Sequence, residues 1–401
     1  MITELPTRAD FENTGIALLN LAWQSILGLA LNLVDARVDE WEEDLGPDDD
    51  PAAASDVVAV TADTLDTAYA QVKDVEEVKA ARSLWVWYAT LGDVQKAQIG
   101  DFETGWGLLG RGKTNEATRQ YWESSQQELA TAVALAQQGT EFLLKGHIAE
   151  VSPFLLLTGG VREWPGGCET ADTPFSEFKT IDAQDLPRAH DTVCSPRLPA
   201  DFKERFEQLR RVRNSIMHTV NRRAQFTTRD GVLAILEVVD FLVGQRQWLR
   251  LRREYLDRGP DLAPYSSDDH TLCHMARELV YVIELLEPAQ ARRFFGFEKR
   301  QRRYLCPSCE HECANWDIGV TLAQLQPNTP DSTTVYCILC RQTHTVVREK
   351  CNLDDCPGNV ISVDYGNCLT CGRSRPDDLD EGDADEDEAV DTGNAAPLDG
   401  S

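Results

Sequence analysis

The sequence predicts an all-α protein, in which a helical bundle with additional N-terminal helices precedes a small β-rich module. Apolar residues recur at helical spacing in segments between residue 11 and about residue 296, and the first 150 residues show no strand-type alternation. After residue 303, short β-type runs such as 333–336 and 360–363 are punctuated by cysteine pairs.

The charge of the chain excludes one broad class of function. Of its 401 residues, 67 are acidic and 39 are basic, so the formal net charge is −28. Such a surface repels phosphate, which argues against a general nucleic-acid coat protein. The hydrophobic content of 42% is enough to bury a sizeable core.

The N-terminal region is predicted to be helical. Residues 11–37 place apolar side chains at steps of three and four, which predicts a helix with a wide buried face. Glycine, two prolines and a dense acidic run follow in residues 41–51, which indicates an exposed loop. A further helical pattern covers about 54–98. We assign residues 1–110 to this region.

A helical bundle is expected over residues 111–300. Its helical patterns cover residues 114–150, 200–222, 231–257 and 267–296. The segment 158–199 is irregular and rich in glycine and proline, as functional loops often are. Residues 231–244 are apolar on nearly all sides, which is typical of a helix at the centre of a bundle or in a dimer interface.

The compartment is predicted from the N-terminus and the cysteines. The first ten residues lack a net positive charge, and the apolar run after them contains Asn20, Gln24, Ser25 and Asn32. We therefore expect neither a signal peptide nor a membrane-spanning helix, and we expect a cytoplasmic, reduced protein. Nine of the twelve cysteines lie between Cys306 and Cys371. In a reduced compartment, clustered cysteines indicate metal ligands.

Residues 301–375 contain two modules, each with four cysteines, that resemble zinc ribbons. Thiolates at tetrahedral angles suit zinc, and a CxxC turn lets two of them converge on one ion. We predict two structural zinc sites. The ligands would be Cys306, Cys309, Cys337 and Cys340 in the first module, and Cys351, Cys356, Cys368 and Cys371 in the second.

Some details of these modules stay open at this point. The spacing does not fix which cysteine pairs combine, and His311, Cys313 and His344 could each replace a thiolate or take no part. A site with four cysteine ligands is closed and therefore structural. The ribbons would either recognise a nucleic-acid or protein partner, or stabilise through bound metal a small β unit that could not fold alone. Beyond them, residues 376–401 carry eleven acidic and no basic side chains, which predicts a disordered tail.

A basic segment interrupts the acidic background at residues 208–229, which contain no acidic residue. Such a patch would attract a phosphate-bearing ligand that the rest of the surface repels. The candidate RNA-binding residues in this segment are Arg210, Arg211, Arg222 and Arg223.

The sequence RNSIMH at 213–218 lies in this basic segment, after the apolar lead-in of LRRV. It resembles the R-x4-6-H motif of the HEPN superfamily, whose members are small helical bundles with a polar residue often directly after the arginine. Glu141 and Lys145, four residues apart on an upstream helix, are similar to the first helix of such bundles. The resemblance covers roughly residues 114–260. It implies a metal-independent endoribonuclease that dimerises so that both motifs line one cleft.

The residues themselves suit this chemistry. RNA cleavage by its own 2'-hydroxyl needs proton transfer near neutral pH and a cation beside the charged phosphorane. His218 would act as the acid and base, Arg213 would clamp the phosphate, and Asn214 would orient the imidazole or donate to phosphate. The products would carry 2',3'-cyclic phosphate and 5'-hydroxyl ends.

The geometry of one helix limits this picture. Residues five positions apart are separated by about 140° around an ideal helix, whereas Asn214 and His218, four apart, share a face. Arg213 instead continues an apolar stripe, so it needs either a dimer interface or a buried acidic partner. We expect a ribonuclease of the toxin or phage-defence kind. The alternative is a non-catalytic, zinc-ribbon regulatory protein that binds nucleic acid or a protein partner and dimerises through the bundle.

Overall fold

A computed structural model describes residues 1–44, 113–218, 227–259, 268–313, 319–353 and 356–374. The predicted helix at 54–98, most of the predicted loop at 41–51 and the predicted tail at 376–401 lie outside these residues. The helices in the described part are α1 (Arg8–Asp44), α2 (Lys113–Val151), α3 (Leu186–Val193), α4 (Ala200–His218), α5 (Thr228–Leu242), α6 (Trp248–Arg258), α7 (Asp268–Leu285), α8 (Pro288–Phe295) and α9 (Pro307–Glu312). The strands there are β1 (Ile2–Thr3), β2 (Thr173–Pro174), β3 (Ala323–Leu325), β4 (Thr334–Cys337), β5 (Thr343–Val347) and β6 (Ile361–Ser362).

Helices α1 and α2 approach each other closely at a point where each carries a glycine. A Cβ atom on Gly15 would lie 2.9 Å from the carbonyl oxygen of Gly139, and a Cβ atom on Gly139 would lie 2.9 Å from the carbonyl oxygen of Gly15. A side chain at either position would push the two helices apart. Residues of α1 thereby share one apolar core with the helices that follow residue 113.

Helix α5 lies in the centre of this helical body. Its residues are buried almost all round, as the apolar pattern of 231–244 predicted. The helix begins with a capping box, in which Asp230 N donates to Thr227 Oγ1 over 3.1 Å and Thr227 N donates to Asp230 Oδ2 over 3.3 Å. Its first turn contacts α1, since a Cβ atom on Gly231 would lie 2.5 Å from Ile26 Cδ1.

A buried ion pair joins α6 to α7. The Arg252 and Glu278 side chains are only 1% and 5% exposed. They form two parallel hydrogen bonds, Nη2 to Oε1 over 2.6 Å and Nε to Oε2 over 3.0 Å. Helix α1 completes the network, because Asn20 Oδ1 accepts from Arg252 Nη1 over 3.2 Å and Trp23 Nε1 donates to Glu278 Oε2 over 3.0 Å. Three helices are thus joined through one pair of charges.

The irregular segment after α2 contains a feature that the sequence did not indicate. Strand β1 pairs with β2 in parallel, with Ile2 opposite Thr173. The amino group of Met1 donates to Asp172 Oδ1 over 2.7 Å. Strands of two residues are too short to show a period-two pattern, so hydrophobic periodicity does not predict them.

The C-terminal region carries a small antiparallel sheet in the order β3-β4-β5-β6. Buried residues of β3 and β4 join the core of the helical body. Arg303 donates to Glu284 of α7, and Lys299 Nζ donates to the carbonyl oxygens of Glu284 (3.0 Å) and Leu286 (2.8 Å). The structure is therefore a helix-rich body with a small attached sheet, which fits the predicted fold class in this coarser form.

The N-terminal segment Arg8–Asn32 is long and apolar enough, by length and composition, to cross a membrane. The polar residues of this segment had instead predicted that it would not span a membrane. Of the most apolar 18-residue window, 44% is buried inside the protein. The contacts of Asn20 and Trp23 with the Arg252–Glu278 pair place one side of this segment in the protein core.

Two histidines form a hydrogen-bonded chain between α2, α3 and α5. His147 Nδ1 lies 3.2 Å from His190 Nε2, and His147 Nε2 lies 2.8 Å from the carbonyl oxygen of Leu242. A carbonyl only accepts, so His147 carries its proton on Nε2, and its Nδ1 accepts from His190 Nε2. His190 Nδ1 lies 3.4 Å from Asp191 Oδ1, a contact that favours the protonated ring and opposes the effect of burial. Burial is the main cause that lowers the pKa of both histidines.

The buried ion pair leads to a first prediction. Arg252→Met removes the two hydrogen bonds of the guanidinium and leaves the buried Glu278 carboxylate with His274 Nε2, at 3.1 Å, and Trp23 as partners. We therefore expect the free energy of unfolding to fall by about 3–5 kcal/mol in urea titrations followed by circular dichroism. Arg252→Met combined with Glu278→Met removes both charges and should recover a large part of that loss. A single variant as stable as wild type, or a double variant less stable than the single one, would contradict this role.

The histidine chain leads to a second prediction. Because both folded-state pKa values are lowered, the unfolded chain binds more protons, so the contribution to stability is complete above about pH 6.5 and is lost as pH falls below that value. The slope is at most about 1.4 kcal/mol per pH unit for each histidine. His190→Asn should flatten the dependence of unfolding free energy on pH between pH 7 and 5. His311→Asn, at an exposed position, serves as the control and should leave the slope unchanged.

Candidate functional site: two cysteine clusters and a basic helix

The first cysteine cluster forms where two CxxC turns meet. Cys306 and Cys309 flank the start of α9, while Cys337 ends β4 and Cys340 lies in the turn before β5. The Sγ atoms of Cys306 and Cys340 are 3.7 Å apart, and those of Cys309 and Cys337 are 3.9 Å apart. All four Sγ atoms lie within 4.8 Å of one another. The predicted combination of these two pairs is confirmed.

The second cluster combines Cys351 and Cys356 with Cys368 and Cys371, as predicted, and its four Sγ atoms also lie within 4.8 Å of one another. The Cys351 and Cys371 sulfurs are 3.9 Å apart, and those of Cys356 and Cys368 are 3.8 Å apart. Crosswise pairing between the two modules is thereby excluded.

The sulfur separations fit a metal ion. With metal–sulfur bonds of about 2.3 Å, the edges of a tetrahedron of four sulfurs measure about 3.8 Å. The measured pairs of 3.7–3.9 Å match that length. All eight cysteines are free thiols, and seven of them are buried. Each cluster is therefore positioned to bind a metal ion in a closed site.

Backbone amides surround the sulfurs of the second cluster. Gly358 N donates to Cys356 Sγ over 3.3 Å, and a Cβ atom on Gly358 would lie only 2.5 Å from Cys368 Sγ. Burial raises the pKa of the Cys368 thiol, but N–H groups of Cys371 and Thr370 outweigh that effect and lower it. The Gly358 N–H also lowers the pKa of Cys356, although burial keeps that pKa raised overall. An N–H donor favours the thiolate, which is the form that binds a metal.

The three further candidate metal ligands, His311, Cys313 and His344, differ in their distance from the first cysteine cluster. Cys313 is buried against Cys273 of α7, outside the four-sulfur cluster. The exposed ring of His311 contacts Tyr365, with centroids 5.5 Å apart. His344 is different, because its Nε2 atom lies 3.4 Å from Cys306 Sγ and 3.8 Å from Cys340 Sγ.

The basic motif lies on α4, which is helical from residue 200 through residue 218. Arg213 and Asn214 are partly buried. The side chain of His218 lies outside the described part of the chain, as do Arg222 and Arg223. The helical backbone places Asn214 and His218 one turn apart on one face.

The described arginines of α4 have acidic neighbours. Arg210 Nε and Arg211 Nε bind Glu207 carboxylate oxygens over 2.8 and 3.0 Å. The hydrogen bond from Arg210 is the main cause that lowers the pKa of Glu207 to about 2. Because Glu207 precedes the acid-free segment by one residue, a count of charges within 208–229 could not include it.

Arg213 is the least tightly held of the three arginines. Its Nη1 atom lies 3.9 Å from Glu141 Oε1 of α2, and its side chain is 40% exposed. Glu141 is therefore an acidic neighbour of Arg213 within the bundle, which is one of the two arrangements that the sequence left open.

The two cysteine clusters differ in their relation to the core, which gives a third prediction. The first cluster belongs to the apolar core of the helical body, whereas the second forms a core of its own. We expect Cys309→Ser to lower the thermal unfolding midpoint of the whole helical body. Cys356→Ser should leave that midpoint nearly unchanged, although elemental analysis should show one metal ion lost per chain in each variant. Equal midpoints for the two variants would contradict this division.

Comparison with known proteins gave no match: no family model, no curated protein and no solved structure matches this chain.

Proposed function

We propose that the protein is a metal-independent endoribonuclease of the HEPN type, in the class of toxins or phage-defence enzymes. The observation that carries the proposal is Arg213, a half-exposed guanidinium on a helix, next to Asn214 and less than two turns from His218. A partly exposed arginine on the same helix as a histidine suits an RNA phosphate.

The reaction would use the 2'-hydroxyl of RNA as its nucleophile. His218 would take the proton from that hydroxyl and later return a proton to the departing 5'-oxygen. Arg213 would stabilise the charge that develops on the phosphorane, and Asn214 would orient the imidazole. The cleaved strands would carry 2',3'-cyclic phosphate and 5'-hydroxyl ends.

A dimer would complete the site. Positions 213 and 218 differ by about 140° around a helix, so one copy of α4 presents the two side chains in different directions. A second copy related by a two-fold axis would place its His218 near the Arg213 of the first. The cleavage site would then be composite, and a monomer would be inactive.

The cysteine clusters would hold two structural zinc ions in this proposal. Zinc suits four thiolates at these separations. The ions would maintain the fold of the C-terminal region, while the sheet and a regulatory protein partner would select the target or restrain cleavage. We place this activity in the cytoplasm, where the thiols stay reduced.

A second function is favoured by the acidic neighbours of the same arginines. Arg210, Arg211 and Arg213 each face a carboxylate of their own chain. Such pairing is typical of a structural surface. In this alternative the protein is a non-catalytic regulator that dimerises through the bundle and binds nucleic acid or protein through its sheet.

Cleavage of total RNA by the zinc-loaded full-length protein, in buffer free of Mg²⁺, distinguishes the two functions. We expect wild type to produce 2',3'-cyclic phosphate ends, and Arg213→Ala and His218→Ala to be slower by at least about 100-fold. Arg205→Ala is the matched control, since Arg205 lies on the same helix and binds Glu237 over 2.6 Å. It should cleave like wild type. Equal cleavage by all variants, or none by wild type, would leave the regulatory function.

A further inference from the structure

His344 is placed beside the first cysteine cluster by the register of the sheet. Strand β5 alternates between exposed and buried positions, and His344 and Val346 point inwards. His344 lies opposite Val335 of β4, two residues before the ligand Cys337. Its ring nitrogen Nε2 reaches Cys306 Sγ at 3.4 Å and Cys340 Sγ at 3.8 Å, and 7% of the residue is exposed. One imidazole thus contacts a sulfur from each of the two CxxC turns.

The first cluster would place the negative charge of its metal-bound thiolates in a site that is buried from solvent. Four thiolates around a divalent ion carry a net charge of −2, and Cys306, Cys309 and Cys337 are all 0% exposed. A buried charge without hydrogen bonds is costly. In the second cluster, backbone N–H groups such as that of Gly358 meet this requirement. In the first cluster, the side chain of His344 lies beside the sulfurs, as those backbone N–H groups do in the second cluster.

The geometry points to His344 as a hydrogen-bond donor to the metal-bound thiolates of Cys306 and Cys340, and not as a metal ligand. The four sulfurs all lie within 4.8 Å of one another, and His344 does not belong to that group. Four thiolates fill a tetrahedral site, so no fifth position is needed. A thiolate only accepts, so His344 presents its Nε2 proton to the sulfurs. The His344 N–H lowers the charge density on both sulfurs and fixes the two CxxC turns relative to each other. Outer partners of this kind affect metal affinity by about 10–100-fold.

Two substitutions separate the roles of donor and ligand. His344→Gln keeps an N–H donor at the position of Nε2, while His344→Leu removes it. We expect His344→Leu to lower Zn²⁺ affinity at the first cluster by about tenfold or more, measured by competition with a chromogenic chelator. His344→Gln should stay close to wild type, and His311→Leu, at the exposed histidine of the same region, should equal wild type.

The affected cluster can be identified by thiol alkylation and mass spectrometry. In His344→Leu, Cys306 and Cys340 should be alkylated faster than in wild type, while Cys356 and Cys368 keep their wild-type rates. The Co²⁺ absorption spectrum should keep the bands of four-sulfur coordination in every variant. Unchanged affinity and alkylation in His344→Leu, or a Co²⁺ spectrum that shows the loss of a nitrogen ligand, would overturn the proposal.

A measurement on the wild-type chain covers the case in which His344→Leu does not fold. In protein loaded with ¹¹³Cd²⁺, NMR should detect a proton on His344 Nε2 with a scalar coupling to ¹¹³Cd through the sulfur. A His344 ring without an Nε2 proton, coupled directly from ¹⁵N to ¹¹³Cd, would identify it as a ligand and reject the donor role.

Discussion

The helical body depends on the buried pair of Arg252 and Glu278. Two charges in an apolar core are tolerated only when nearly every donor and acceptor is used, and here the guanidinium fork, Asn20 and Trp23 supply those bonds. This requirement fixes the rotation of α1 about its own axis, because only one face of the helix carries both Asn20 and Trp23. The close approach at Gly15 then fixes its distance from α2.

The C-terminal sheet is part of this body and not a freely attached domain. The first cysteine cluster shares the core of the helices, and Lys299 and Arg303 hold the connection to α7 through Glu284. A metal ion in that cluster would therefore bear on the packing of the helices as well as on the sheet. The second cluster lies in a separate small core.

Local patterns in the sequence predicted what depends on local chemistry. The eight ligand positions followed from closely spaced cysteine pairs, CxxC three times and Cys351-x4-Cys356 once, and the central position of α5 followed from its all-round apolar sequence. Contacts between distant residues left no such pattern. The carboxylates opposite Arg213 and Arg252 come from other helices. A side chain at Gly358 would collide with the sulfur of Cys368, and this close approach is visible only in the folded chain.

The positions of the α1 partners in the sequence also determine the order in which the contacts of α1 can form while the ribosome makes the chain. Asn20 binds a residue 232 positions later, and Trp23 binds one 255 positions later. At ribosomal speeds of roughly 5–20 residues per second, the delay is on the order of 10–50 s. Throughout that time the first helix has its polar contacts unmade, and α2 is the earlier partner able to cover its apolar face. The packing of α1 against α2 can therefore precede its polar contacts with α6 and α7.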